Sequence, residues 1–233
     1  MKIVFTPDWF LNGDVLIEVF SFIILALFFY FCIKSYKLGK KKSFLYLGLG
    51  FLLIAVAELS TILTKIILYY DTAFTYSIGK MIVTHTVTKS VDIFYYVGFF
   101  VHKFLTLLGL YIIYKIPLKK GLRSDFFLGF YFLIIAALFS QGIYYIFHLT
   151  ALGLLILIID NYCRVYKKNK MQNTLILISA FAGLALSQVI ALFSKLGVWY
   201  VIAQIMQLVS YLILLILIIR ILKYGKRKKK KQD

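Results

Sequence analysis

The sequence predicts an all-α fold: a polytopic membrane protein that forms a bundle of seven transmembrane helices. Two features of its composition point to a membrane, since 62% of the 233 residues are hydrophobic and only 15% are charged. Soluble domains contain about 45–50% apolar residues, so this composition excludes a water-soluble fold. The third observation is the sign of the charge, because 27 Lys and Arg residues outnumber 9 Asp and Glu residues and cluster in alternate loops.

Seven apolar segments account for the predicted helices. A transmembrane helix needs about 20 predominantly apolar residues to cross a hydrocarbon core of about 30 Å. Six segments are long enough, and the fourth is shorter because Ser140-Gln141-Gly142 indicates a tight turn. We count the fourth as a span because residues 126–163 are too many for one crossing. The predicted spans cover residues 15–33, 44–68, 93–114, 126–139, 143–163, 175–193 and 199–222.

The positions of the basic residues predict the orientation. Lys and Arg in short loops mark the cytoplasmic side of a membrane protein. In this sequence they concentrate after the first, third and fifth predicted helices and in the C-terminal tail. Only an odd number of helices brings these regions to one side, which agrees with seven. We therefore expect a multi-pass protein of the cell membrane with its N-terminus outside and its C-terminus in the cytoplasm.

The ends of the chain add little besides charge. Residues 1–223 are predicted to form a single seven-helix transmembrane domain, and residues 224–233 a polybasic cytoplasmic tail. Basic residues beside a membrane bind anionic lipid at about 1 kcal/mol each, which favours lipid over nucleic acid as the tail's partner. The tail is too short for an effector domain. Residues before the first span include Asp8 and Asp14 and lack the basic start of a cleavable signal peptide, so helix one is expected to remain as an anchor.

Two further patterns concern the outer loop and helix six. Residues 69–92 alternate between apolar and polar side chains on either side of Gly79-Lys80, which predicts a small β-hairpin on the outer surface. This hairpin is either a lid over a pocket or a solvated loop. Helix six carries small residues at four-residue spacing, which favours close packing within the molecule, with a dimer interface as the alternative. They are Ser179, Gly183, Ser187 and Ala191.

Polar residues inside the spans form a layer at one depth. Ionisable residues within spans are costly and by default mark a functional site. Counted from the cytoplasmic end of each helix at about 1.5 Å per residue, the polar residues lie about 18–24 Å deep. Beyond them, residues 26–31, 107–113 and 212–219 are almost entirely apolar. We therefore expect a pocket that opens outward above a dry cytoplasmic plug. Its predicted ligand-binding or ion-coupling residues are Glu18, Glu58, His102, Lys103, His148, Gln188, Gln204 and Gln207.

Lys103 is the central residue of this hypothesis. A lysine that faced lipid would be costly, so we expect Lys103 to point inward, to Glu18 or Glu58 or to an anionic ligand. On helix two, Glu58, Thr61 and Lys65 share one face, which predicts a path from the pocket to the outer surface. In a purely structural alternative, a Lys103–Glu58 pair fixes the helix register, and the glutamines form hydrogen bonds between helices without any ligand.

Several kinds of chemistry are excluded by missing motifs. The sequence has no nucleophile elbow, no zinc-protease motif and no phosphate-binding loop. Its three histidines, His85, His102 and His148, lie on separate segments without metal-ligand spacing. Helix seven has no mid-span lysine that could hold retinal, so the likeness to rhodopsins ends at the helix count. We expect neither an enzyme nor a cofactor or metal.

One stretch carries a resemblance. Tyr36-Lys37-Leu38, the lysines at 40–42 and the segment Phe44-Leu45-Tyr46-Leu47-Gly48-Leu49-Gly50-Phe51 follow one another. This run is similar to the junction of helices one and two in uncharacterised archaeal seven-helix proteins and in the seven-helix sensor regions that precede some histidine kinases. The resemblance covers less than a tenth of the chain and implies a sensory membrane region whose signal a separate partner reads.

These observations favour a receptor-like or sensory integral membrane protein with an outward-facing polar pocket and no effector domain in the chain. Its partners would be anionic lipid at the cytoplasmic face, a small ligand, and a cytoplasmic or membrane protein. A small transporter for an ion or polar solute is the first alternative, with Glu18, Glu58 and Lys103 as coupling groups. A structural subunit of a membrane complex is the second.

Overall fold

The computed structural model describes residues 6–40, 42–74, 83–116 and 123–229. These residues form a short 3-10 helix, Asp8–Phe10, and seven α-helices, with no strand among them. The all-α prediction is therefore confirmed. The helices are α1 (Leu11–Gly39), α2 (Lys42–Phe74), α3 (Val83–Lys115), α4 (Arg123–Phe139), α5 (Tyr145–Asn169), α6 (Gln172–Ala191) and α7 (Gly197–Lys229).

Six of the helices are long and apolar enough to cross a membrane. Their candidate spans are Asn12–Lys37, Lys42–Leu68, Phe94–Lys115, Tyr145–Asn169, Gln172–Ala191 and Gly197–Ile221. The shorter apolar stretch, Phe127–Phe139, lies in α4. The turn predicted after it is confirmed, since the Gly142 amide donates to the Phe139 carbonyl at 3.2 Å. α7 continues to Lys229, so the predicted polybasic tail begins as helix.

The helices form a ring. In order around it, α1, α2, α3, α5, α6 and α7 pack on one another, and α7 closes the ring against α1. α4 lies outside the ring, against α3 and α5. Short connections make consecutive helices antiparallel, and the contacts of each pair confirm this arrangement. A polypeptide that spans a membrane must satisfy its backbone hydrogen bonds within each helix, so a ring of helices can leave space at its centre without breaking a backbone hydrogen bond.

The two ends of the ring differ in charge. At one end, Pro7 lies against Gly197, so the starts of α1 and α7 are neighbours. We call this the N-terminal end. At the other end, the Asn161 amide donates to the Tyr114 carbonyl, which brings the last turns of α3 and α5 together. Basic residues collect there, and we call it the basic end. They include Lys34, Lys37, Lys115, Arg164, Lys167, Lys168 and Arg220.

The interior of the ring at the basic end is filled by apolar side chains. Phe51 of α2 lies at the centre, with its ring centroid 4.3 Å from that of Phe28 and 6.3 Å from that of Phe181. The surrounding side chains are almost completely buried: Leu25, Leu107, Ile113, Leu155, Ile158 and Leu214. We call this packed layer the apolar floor. It occupies the position of the plug that the sequence predicts.

Glycines bring α2 and α3 together beside the floor. A Cβ atom on Gly50 would lie 2.9 Å from the Gly109 carbonyl oxygen, and one on Gly109 would lie 2.6 Å from the Gly50 carbonyl oxygen. Neither position accepts a methyl group unless the two backbones separate. Small residues allow such close approach in membrane bundles.

The predicted hairpin is wrong where the structure describes it. α2 continues to Phe74 and α3 already begins at Val83, so the second predicted strand is helical. Its turn, Gly79-Lys80, lies outside the described residues. A helix satisfies its own backbone hydrogen bonds, whereas an isolated hairpin is only marginally stable. The alternation of apolar and polar side chains was therefore not sufficient to predict strands.

The small residues of α6 pack mainly within the molecule. Gly183 lies against Ser210 of α7, and Ser187 and Ala191 are buried. Ser179 is exposed and bonds only within its own helix. The exposed surface of the ring is apolar instead, as on α4, where Phe127 is 74% exposed. Such a surface suits contact with lipid.

Candidate functional site

A cavity of about 230 Å³ lies inside the ring, between the N-terminal end and the apolar floor. All six ring helices line it, and the turn after α4 contributes Ser140 and Gln141. On α3 its lining extends from Tyr95 to Leu110, about 22 Å along the helix axis at about 1.5 Å per residue. Leu110, Leu155 and Leu184 form its deepest part, next to the floor.

All the residues predicted for the pocket line this one cavity. Their positions in the structure are Glu18 on α1, Glu58 on α2, His102 and Lys103 on α3, His148 on α5, Gln188 on α6, and Gln204 and Gln207 on α7. Depth counting found them because helices in one ring bring residues of equal depth together. Their role as a binding site remains a prediction.

A buried ion-pair cluster closes one side of the cavity. Lys65 Nζ lies 2.7 Å from Asp14 Oδ2 and 2.5 Å from Glu18 Oε1, and it donates to the Tyr200 hydroxyl at 3.0 Å. Thr6 adds a hydrogen bond to Asp14 Oδ2 at 3.1 Å. Since Lys65 and Glu18 are each 3% exposed and Asp14 is fully buried, lipid and bulk water are both excluded.

This cluster corrects two predictions. Of the partners expected for Lys103, Glu18 and Glu58 are not its partners in the structure, since Lys65 binds Glu18, while the anionic ligand stays a prediction. Lys65 was also expected to line a path to the outer surface, whereas its side chain is buried inside the bundle. α2 extends beyond the predicted span, which places Lys65 more than two turns before the end of the helix. Asp14, which the prediction placed before the first span, belongs to α1.

Glu58 is held by neutral partners from across the ring. Gln207 donates to Glu58 Oε1 at 2.8 Å, and the Tyr211 hydroxyl donates to the same oxygen at 3.3 Å. Glu58 is 3% exposed. Among the side chains that the structure describes, no basic group lies within ion-pair distance of this carboxylate.

Lys103 lies on the other side of the cavity. Its Nζ donates to the Ser140 carbonyl oxygen at 2.8 Å, in the turn after α4. Within the described residues it has no carboxylate at ion-pair distance. The adjacent His102 has its Nδ1 atom 3.2 Å from the Ala57 carbonyl oxygen. That contact sets the residues 57–58 and 102–103 at the same level of the ring.

A third polar contact joins α5 and α6. His148 Nδ1 lies 2.8 Å from Gln188 Oε1. One turn closer to the N-terminal end, the Tyr144 hydroxyl donates to the Leu192 carbonyl at 2.7 Å. His148 therefore has a hydrogen-bond partner from the protein itself.

The cavity wall also contains buried polar atoms that have no hydrogen-bond partner among the residues that the structure describes. They are Glu18 Oε2, Thr106 Oγ1, Ser194 Oγ and Gln204 Oε1. Each of the four residues lines the cavity. Buried polar atoms in proteins are almost always hydrogen-bonded, and an unpaired one costs about 1–3 kcal/mol. The contents of the cavity must therefore supply partners for this wall.

The wall does not assemble a metal site from the described residues, where no three His, Cys, Asp or Glu side chains are grouped to hold an ion. Its chemistry is that of hydrogen bonds and fixed charges. Comparison with protein-family models, curated proteins and solved structures finds no match to this chain.

Proposed function

We propose that this chain is a receptor-like membrane protein of seven spans that binds a small polar ligand in the cavity. The observation that carries the proposal is the set of four unpartnered buried polar atoms, all on residues that line one cavity. In a membrane interior such groups are costly, and they mark a functional site by default. A small polar ligand, together with water, satisfies them.

The proposed orientation has the cavity open to the outside and the basic end in the cytoplasm. Basic residues in short loops are retained on the cytoplasmic side, and most basic residues of the described chain lie at one end of the ring. α4 serves as the seventh span, since antiparallel neighbours on both sides require the chain to return to the N-terminal end before α5. This arrangement makes the protein a multi-pass protein of the cell membrane.

The apolar floor favours a receptor over a transporter. Beneath the cavity, Phe51, Phe181 and their aliphatic neighbours pack together, and no charged side chain of the described residues is buried among them to conduct a solute further. A receptor needs no such route, because ligand binding only has to shift the helices around the site. In this proposal the protein catalyses no reaction, and a cytoplasmic or membrane partner reads the shift. The resemblance to sensor regions supports the same role.

The test combines binding with transport. The full chain in nanodiscs is heated with a panel of small anions, amines and amino acids, and the same compounds are offered in labelled form to proteoliposomes. We expect at least one compound to raise the unfolding temperature without accumulating in the vesicles. If no compound shifts the unfolding temperature, the ligand-binding proposal fails.

A transporter is the second candidate, because the cluster of Asp14, Glu18 and Lys65 resembles the charged groups that couple ions to transport. Uptake of a stabilising compound into proteoliposomes, lost in Glu18→Gln, would replace the receptor with this candidate. A structural subunit instead predicts that cavity substitutions which preserve the fold change no cellular function.

A further inference from the structure

The charges that line the cavity are divided between two sides. The acid side, formed by α1, α2 and α7, contains Glu18 and Glu58, and also Lys65, which is paired with Asp14 and Glu18, so that carboxylates outnumber ammonium groups there. The amine side, formed by α3 and the turn after α4, contains Lys103. Glu58 and Lys103 lie at the same level on neighbouring helices, as the contact between His102 and the Ala57 carbonyl shows. Their side chains nevertheless reach apart, Glu58 to α7 and Lys103 to Ser140.

Within the described part of the chain, each of these two charges is bound only by neutral groups. Gln207 and Tyr211 solvate Glu58, and a backbone carbonyl solvates Lys103. Opposite charges in a low-dielectric interior attract each other strongly, and pairing would offset the cost of burying them. A site that keeps them apart is therefore arranged for a ligand that carries both complementary charges.

The acid side offers unused hydrogen-bond acceptors. Glu18 is 3% exposed, and its Oε2 atom has no partner. Gln204 Oε1 is likewise unpartnered, and Gln204 joins the same cluster because its amide donates to the Tyr200 hydroxyl. A primary ammonium group carries three donors and no acceptor, which matches the two unpartnered acceptors.

The amine side offers donors. Lys103 carries three N–H donors, of which the Ser140 carbonyl accepts one. Thr106 lies three residues further along α3, on the same face of the helix, and its hydroxyl is unpartnered. An ammonium beside a free hydroxyl suits a carboxylate, whose two oxygens accept charge-assisted hydrogen bonds.

We infer that the ligand is a small zwitterion, which places a primary ammonium on the acid side, against Glu18, Glu58 and Gln204, and a carboxylate on the amine side, against Lys103 and Thr106. The cavity of about 230 Å³ suits a molecule of amino-acid size, since sites for drug-sized ligands measure about 300–1,000 Å³. This inference rests on the proposed function and specifies its ligand class.

The experiment measures binding to the full chain in nanodiscs by calorimetry. The zwitterionic probes are glycine, β-alanine, 4-aminobutyrate and 5-aminovalerate, in which the two charges are progressively further apart. Butylamine and butyrate each carry one of the charges. We expect the best zwitterion to bind at least on the order of tenfold more tightly than either single-charge probe, because each charged contact contributes separately. The best chain length then reports the separation of the two sides.

Two variants assign the ends of the ligand. In Lys103→Met we expect the best zwitterion to bind no more tightly than butylamine, and in Glu58→Gln we expect its advantage over butyrate to shrink, because Glu18 and Gln204 remain as acceptors. The matched controls are Lys195→Met and Asp160→Asn, which remove exposed charges outside the cavity and should leave binding unchanged. If either cavity variant fails to fold, the ratios between probes in the wild-type protein still decide the inference.

Different failures have different meanings. If butyrate or butylamine alone binds wild type as tightly as the best zwitterion, the site recognises a single charge, and the zwitterion inference is overturned while the proposed function stands. If no zwitterion binds but another class of compound stabilises the protein, the zwitterion inference is likewise overturned and the proposed function stands. If no compound of any class binds, both the inference and the proposed function are lost.

Discussion

The two halves of the bundle use the same helices for opposite purposes. Towards the basic end, the interior is packed with rings and aliphatic side chains, such as Phe51 and Phe181. Towards the N-terminal end, the interior contains charged groups, unpartnered polar atoms and a cavity. A bundle whose only task was assembly would gain from a packed interior throughout. The cost of the polar half therefore points to a function located there.

The largest expected effect tests whether the charged cluster supports the polar half. Lys65→Met leaves the carboxylates of Asp14 and Glu18 buried without their cation. Removal of one partner from a buried pair typically costs about 3–5 kcal/mol, so we expect a loss of this size in the free energy of unfolding. Unfolding by SDS in mixed micelles measures it, with Lys195→Met, a change at an exposed lysine, as the control.

A compensating variant separates charge from packing. In Lys65→Met combined with Asp14→Asn and Glu18→Gln, no uncompensated charge remains, so most of the stability should return. If the triple variant is as unstable as the single one, the cluster acts through shape instead of charge, and the electrostatic part of the comparison is wrong.

The position of this cluster shows where sequence reasoning fails. A lysine near a helix end usually extends to the membrane surface, so Lys65 gave no sign of burial. The i,i+4 spacing of Asp14 and Glu18, which puts both carboxylates on one face of α1, was the available signal. It was missed because the predicted span began one residue after Asp14. Helix ends depend on tertiary packing, and one turn of helix decides whether a charge is counted inside the membrane or outside it.

The depth of the polar residues in the bundle was predicted more successfully than their hydrogen-bond and ion-pair partners. The rise of a helix is fixed, so counting residues placed Glu18, Glu58 and Lys103 at one level, and all three line the cavity. Counting does not fix which way each side chain turns. Pairing depends on the rotation of each helix about its axis, which the sequence did not specify, and Lys103 consequently has Ser140 as its partner.

The second prediction concerns the packed half. Gly50→Ala or Gly109→Ala forces a methyl group against the facing helix backbone, where the nearest carbonyl oxygen would lie 2.9 or 2.6 Å away. Overpacking of this kind typically costs about 1–3 kcal/mol. The same unfolding assay measures the loss. Gly153→Ala is the control, because nothing lies within 4 Å of its new methyl group. If the control loses as much stability as the other two, the α2–α3 contact is not the cause.

A smaller effect is expected where two helices share one hydrogen bond. Gln188→Leu removes the contact with His148 Nδ1 at 2.8 Å between α6 and α5. Hydrogen bonds between membrane helices contribute about 0.6 kcal/mol on average, so the free energy of unfolding should fall by about this amount. Ser179→Ala, at an exposed position of α6, is the control. A loss of several kcal/mol would mean that the α5–α6 side of the cavity is a structural element comparable to the Lys65 cluster.

The last prediction involves no measurable change in stability. It tests most directly the contrast between the packed half and the polar half of the bundle. Thr106 lines the cavity, and its hydroxyl is unpartnered, so Thr106→Cys places a thiol in the polar half without removing a protein contact. We expect a membrane-impermeant maleimide to label it only from the side opposite the basic loops, and bound ligand to slow the reaction.

The native cysteines provide the internal controls for this labelling. Cys32 is buried beside the apolar floor and should stay unmodified, whereas the half-buried Cys163 lies near the basic end and should react only from the side of the basic loops. Labelling of Thr106→Cys from both sides would mean that the floor opens, and the transporter candidate would then account better for the two halves. Equal protection of positions 32 and 106 would mean that water does not reach the cavity, and the contrast between the halves would lose its functional meaning.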